Sequence, residues 1–186
     1  MRNVLVFNNV SLDGSFADDK GDMSWAHKHD SEWTEFTENN AKGGGVLVFG
    51  RVTYQMMAGY WPTPMAAKNN PTVADRMNQL SKLVFSRTLN EVTWANTTLV
   101  KEDLAGTVRK MKSEDGPGLV IMGSGSIVAQ LAQERLIDEY QIVVNPIALG
   151  QGRTLFAGMR DRLNLKLKSS RAFGNGNVFL CYEPVS

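Results

Sequence analysis

Residues 119–134 read LVIMGSGSIVAQLAQE. Leu119–Met122 has the short apolar run of a buried strand and passes directly into Gly123-Ser124-Gly125-Ser126. Ile127, Val128, Leu131 and Ala132 then recur along one helical stripe. A strand, a glycine turn and a helix N-terminus in that order leave backbone N–H groups and the positive end of the helix dipole aimed at one point. Glycine lets a phosphate approach the backbone with no Cβ in the way. A plain β–α turn shares the pattern, so this segment alone leaves both an anion site and simple turn chemistry open.

The rest of the chain continues the alternation. Residues 4–10, 46–49, 82–86, 97–100 and 140–144 also read as strands. Helical spacing covers 31–40, 50–58, 72–80, 103–112 behind a capping Asp103, and 125–134. Residues 11–24, 59–71 and 145–153 read as loops, the second because it holds Pro62, Pro64 and Pro71. Residues 163–170 and 178–182 form an antiparallel pair around Gly174-Asn175-Gly176. The pattern predicts an α/β fold with a mostly parallel sheet and an antiparallel C-terminal edge. With no repeat or linker to divide it, 1–186 reads as one domain.

Composition narrows the function classes. Lys+Arg is 20 against 19 Asp+Glu, which gives no electrostatic pull toward nucleic acid or an acidic membrane. No apolar run reaches the length of a membrane span, and MRNVLVFNNVSLDG reads as a first strand rather than a leader. The single cysteine, Cys181, excludes an internal disulfide and suits a cytoplasmic protein. It sits in an apolar strand pattern, as an inert buried thiol does.

A second strand–glycine–helix junction lies in VLVFGRVTY, where Gly50 ends the strand and Arg51, Val52 and Thr53 open the helix. Ligands of open α/β sheets bind beyond the carboxyl strand ends, so two such junctions can hold one diphosphate. A third strand ends in Ser86-Arg87-Thr88, where an arginine fork can pair with the 2′-phosphate that separates NADP from NAD. Neither G-x-G-x-x-G after the first strand nor G-x-x-x-x-G-K-[ST] is present, which disfavours a standard dinucleotide fold and a P-loop.

Taken together, NVSLDGSFA, VFGRVTY, LVFSRT, VIMGSGSIVAQL and NPIALGQGRTLF resemble the dihydrofolate reductase-like superfamily, in the branch of stand-alone relatives of the riboflavin-biosynthesis reductase domain. The motifs keep the family's order over nearly the whole chain. The resemblance implies an eight-stranded mixed sheet, NADPH as hydride donor, a small heterocyclic substrate and a homodimer. It places Gly50, Arg51 and Thr53 at the cofactor phosphates. Ser86 and Arg87 fall at the adenosine end, and Gly123, Ser124, Gly125 and Ser126 at the diphosphate. The loop from Ser11 to Gly14, with Asp13, falls beside the nicotinamide and substrate. Phe7, Asn9, Trp25 and Tyr60 complete the expected substrate surroundings.

MSWAHKHDSEW also resembles the M-P-W-x4-D-x2-W of true dihydrofolate reductases, with Asp30 at the position of the aspartate that assists substrate protonation. Reduction of a C=N bond needs a proton as well as a hydride, and a carboxyl group can help supply it. Asp30 also stands where an N-cap would start the following helix, and both roles stay open. Two departures weigh on the substrate. Phe7 occupies the place of a lysine usual in the riboflavin reductases, which removes a cationic partner for a phosphoribosyl group, and their fused deaminase domain is missing from this sequence.

His27 and His29 lack a third ligand pattern and read as solvated loop residues. Asp18, Asp19 and Asp22 lack the bidentate glutamate of a calcium loop. Met56, Met57 and Met65 read as packing. The expectation is an NADPH-dependent reductase with catalytic Asp30 and Asp13. The competing expectation is a nucleotide-binding or ligand-sequestering protein, favoured if both aspartates cap helices or face solvent.

Overall fold

All the apolar runs become strands. A computed structural model describes residues 1–26 and 30–185, so His27 and His29 lie outside the described residues. The elements are β1 (Val4–Ser11), β2 (Ser15–Ala17), α1 (Ser31–Lys42), β3 (Val46–Gly50), α2 (Arg51–Tyr60), α3 (Pro64–Asn69), α4 (Pro71–Gln79), β4 (Lys82–Phe85), β5 (Thr97–Val100), α5 (Leu104–Ser113), β6 (Leu119–Met122), α6 (Gly125–Gln133), β7 (Glu139–Asn145), β8 (Arg153–Thr154), β9 (Leu165–Ala172) and β10 (Val178–Pro184). Eight strands form one sheet in the order β5-β4-β3-β6-β1-β7-β10-β9. The strands from β5 to β7 in that order are parallel, and β10 is antiparallel to both β7 and β9.

Burial explains the centre of the sheet. Val4 and Val46 both stand opposite Leu119, and Val6 and Val48 both flank Ile121, all of them buried. Ile127, Val128 and Leu131 of α6 join this core, while Tyr54 of α2, Met77 of α4 and Trp94 pack with Phe49 in a second cluster. Sheets covered in this way read as continuous apolar runs, as these strands do. No helix among the described residues is long and apolar enough to cross a membrane.

The 59–71 stretch departs from the expected loop, because α3 fills 64–69. Thr63 caps it by accepting from Ala66 N at 3.2 Å, and Pro64 takes the first turn. Pro71 likewise opens α4. A proline is harmless at a helix start, where its missing N–H would have no intrahelical acceptor. The two remaining strands, β2 and β8, pair outside the main sheet. At three and two residues they are too short to show strand alternation.

Lys82, at the start of β4, is fully buried and forms no ion pair among the described residues. Its ammonium donates to the carbonyls of Asn78, Leu80 and Ala95 at 3.2, 2.6 and 3.0 Å and lies 4.4 Å from the Trp94 ring centroid. Desolvation pushes its pKa down to about 8. Lys82→Met is expected to change stability in urea unfolding by no more than about 1 kcal/mol at neutral pH, since the three lost carbonyl contacts, about 1 kcal/mol each, are offset by relief of the ammonium's desolvation. Because the folded pKa lies below the unfolded value of 10.5, this lysine's contribution is full above 10.5 and lost as pH falls through 8. The variant should therefore lose stability relative to wild type as pH rises through that window, and parallel pH profiles for the two proteins would refute the assignment.

Candidate functional site

β3 and β6 are neighbours, so the two strand–glycine–helix junctions lie side by side at the carboxyl ends of the sheet. Buried side chains join them. Gly50 N donates to Ser124 Oγ at 2.9 Å, Ser124 N donates to Thr53 Oγ1 at 3.1 Å, and the two hydroxyls are 3.0 Å apart. Gly123 and Ser124 are both left-handed, at φ 58° and 57°. Asn8, buried in β1, holds the turn through a double contact: its Oδ1 accepts from Gly123 N at 2.6 Å and its Nδ2 donates to Gly123 O at 3.2 Å. A Cβ on Gly123 would stand 2.8 Å from Thr53 Oγ1, so the turn requires glycine.

These bonds redistribute the expected roles. The Gly50 N–H and the Ser124 side chain build the turn and are not open donors. The open donors are the first N–H groups of α2 and α6, at Arg51, Val52, Gly125 and Ser126, which have no intrahelical acceptor. Both helix starts line one cleft of about 800 Å³, together with Gly50, Thr53, Ser86, Arg87 and Ser124. Ser86 Oγ accepts from Thr88 N and Leu89 N at 3.2 and 3.1 Å and so shapes the turn that carries Arg87.

Lys101 and Arg153 add two cations to this rim that sequence reasoning missed. Lys101 follows β5 directly, and its strand-end position was the available signal; the two-residue β8 offered none for Arg153. Among the described residues, Arg51, Arg87, Lys101 and Arg153 form no ion pair. Of the two carboxylates on the rim, Asp103 is engaged with Ala105 N and Gly106 N as the cap of α5, leaving Glu102. The cleft is therefore cationic and rich in N–H donors, which suits a polyphosphate.

Beyond Gly123 lies a second chamber of about 510 Å³, opening onto a recess of about 350 Å³. Phe7, Asn9 and Tyr60 line the chamber, and so does Gly123, which does not line the cationic cleft. Trp33, Trp61 and Met122 share the walls. Trp25 lines neither cavity. Its indole N–H donates to the Asp22 carbonyl at 3.2 Å, and Met23 and Ala26 reach the chamber instead.

Both aspartates serve the backbone. Asp30 caps α1, with Oδ1 accepting from Trp33 N at 3.0 Å, and it lines neither cavity. Asp13 accepts from Ser11 Oγ at 2.5 Å and from the N–H groups of Leu149 and Gly150, the latter at 2.7 Å. These donors, the Ser11 hydroxyl foremost, hold its pKa down to about 2. A carboxylate so held is ionised at neutral pH and carries no proton to give. Asp13 thus pins the turn after β1 to the loop after β7 rather than acting as an acid.

The RibD C-terminal domain family model matches residues 2–179, and the chain belongs to that family. Over 183 residues it is 25% identical to YyaP of Bacillus subtilis (strain 168), an uncharacterized protein, covering 98% of this chain and 95% of that one. A crystal structure of a putative riboflavin biosynthesis protein from Shewanella sp. PV-4 superposes with a TM-score of 0.76 at 24% identity, over 99% of both chains. The diaminohydroxyphosphoribosylaminopyrimidine deaminase/5-amino-6-(5-phosphoribosylamino)uracil reductase of Thermotoga maritima has a TM-score of 0.71 at 14% identity, over 99% of this chain and 57% of that longer one. These likenesses agree with the eight-stranded mixed sheet.

Proposed function

We propose that the chain is an NADPH-dependent reductase that transfers a hydride to a small planar heterocycle of the aminopyrimidine, pterin or folate kind. The observation that carries this reading is a pair of unlike cavities at successive residues of one turn: an aromatic chamber lined by Gly123 and a cationic cleft with two helix starts lined by Ser124. The cleft is the cofactor side. It fits the phosphates of NADPH. Arg51, Gly125 and Ser126 would hold the diphosphate, and Arg87 the 2′-phosphate. When bound, NADPH supplies the hydride, which goes to the carbon of the reduced bond while a proton goes to its nitrogen. Family membership supports the reaction class.

The chain's own residues orient the reactants. Asn8 and Thr53 fix the turn between the cavities, and Trp33 and Tyr60 wall the chamber. No described carboxylate lines that chamber, so water delivers the proton. This same feature favours a second reading, a protein that holds NADP(H) and a ligand without turnover. Mixing the protein with excess NADPH and a dihydropterin or aminopyrimidine, and following the loss of nicotinamide absorbance, separates the two. Multiple turnovers are expected, and no oxidation beyond one equivalent across the panel would favour the binding reading. Asp30→Asn should keep the rate within about twofold, because asparagine caps as well as aspartate. A large fall in rate at unchanged NADPH affinity would return the acid role to Asp30.

A further inference from the structure

We propose that the acceptor enters this site as an uncharged planar heteroaromatic, without a phosphate or phosphoribosyl group. The inference rests on the reductase reading above and names the class of its substrate. The two cavities, lined by Gly123 and by Ser124 of the same turn, differ sharply in charge. The cofactor-side cleft carries four cations with no ion pair among the described residues. The chamber on the β1 side is lined by no charged side chain among the described residues.

What the chamber offers instead is flat apolar surface and neutral hydrogen-bonding groups. Phe7, Trp33, Tyr60 and Trp61 present rings on which a heterocycle can stack. Asn9, Asn69 and Asn70 bring amides, which match the mixed donors and acceptors of a ring edge. Thr34 and Thr37 already donate their hydroxyl hydrogens to the carbonyls of Asp30 and Thr34, at 2.8 and 2.9 Å. Neither hydroxyl hydrogen is therefore open to an anion. A phosphate placed there would lose its hydration with no cationic side chain among the described residues in return. Among the described residues, the charged side chain of the adjoining recess is Arg76, which lines the recess but not the chamber.

The matched probes are 6-hydroxymethylpterin and its phosphate monoester. Equilibrium dialysis uses the full chain loaded with NADP⁺, so that the ester cannot occupy the cationic cleft. The neutral pterin is expected to bind at least about tenfold more tightly than the ester, because only the ester must shed a charged hydration shell. Thr37→Lys, on a half-exposed position of α1 that lines both chamber and recess, should abolish or reverse the preference, while Arg76→Ala should leave it unchanged. Equal or tighter binding of the ester, a preference unmoved by Thr37→Lys, dependence of the preference on Arg76, or failure of both pterins to bind would each overturn the proposal. NADP⁺ loading is read in the same cells. Its absence would sink the reductase reading together with this inference, whereas loading with the ester preferred would sink the substrate class alone.

Discussion

Gly123→Ala is expected to raise the Kd for NADPH by about a hundredfold and to destabilise the chain by about 2–4 kcal/mol. Two costs add at this position. The backbone stands at φ 58°, where an alanine costs about 1–2 kcal/mol relative to glycine. The new Cβ would also stand 2.8 Å from Thr53 Oγ1 and 2.9 Å from Thr53 Cγ2, so the turn or the threonine must move. Movement of either breaks the bond from Ser124 N to Thr53 Oγ1 and shifts the first N–H groups of α6. A polyphosphate bound through those donors feels the shift directly, since charge-assisted bonds contribute about 1.5–3 kcal/mol each. Thr53→Ala removes the clashing atoms. The double variant should therefore be less impaired than the sum of the single ones, a non-additivity that marks direct contact. NADPH affinity within threefold of wild type in Gly123→Ala would show that this turn does not organise the cofactor cleft.

Arg87→Ala is expected to weaken NADPH binding by about 10–100-fold, the equivalent of one charge-assisted arginine–phosphate contact. NADH binding should change by less than about threefold, since that cofactor has no 2′-phosphate for the arginine fork to grip. Arg87 is exposed at the end of β4 and has no carboxylate partner among the described residues, so its charge is available to a ligand. The NADPH-over-NADH preference of wild type should shrink with added salt, as exposed charges do. Equal losses for the two cofactors would assign Arg87 to another part of the ligand, with Arg51, Lys101 and Arg153 as the remaining candidates for the 2′-phosphate.

Much of this site was legible before the fold was seen, because its parts sit where strands end. GRVT, SRT and GSGS each follow an apolar run, and the sheet order brings all three run ends to one cleft. The roles of single atoms were less legible. Ser124 looked like a phosphate contact, yet its hydroxyl accepts from Gly50, a residue 74 positions earlier in the chain. Asp13 looked catalytic from its place in the SLDG loop, but its carboxylate is held by the N–H groups of Leu149 and Gly150, 136 and 137 positions away. Local spacing cannot report such contacts. Asp30 matched a family aspartate and a helix cap equally well, and the N–H of Trp33 claims its carboxylate. The prolines misled for a different reason: Pro64 and Pro71 read as breakers, but each sits at a helix start where a missing N–H costs nothing.

The central claim is that the cleft between α2 and α6 holds NADPH. A calorimetric titration of the wild-type chain with NADPH, repeated in the presence of 2′,5′-ADP, tests it most directly. The account predicts saturable binding of one NADPH per chain, with a Kd of about 1–100 μM, displaced competitively by 2′,5′-ADP and much weaker for NADH. No binding of NADPH at millimolar concentration, or binding that 2′,5′-ADP leaves untouched, would contradict it.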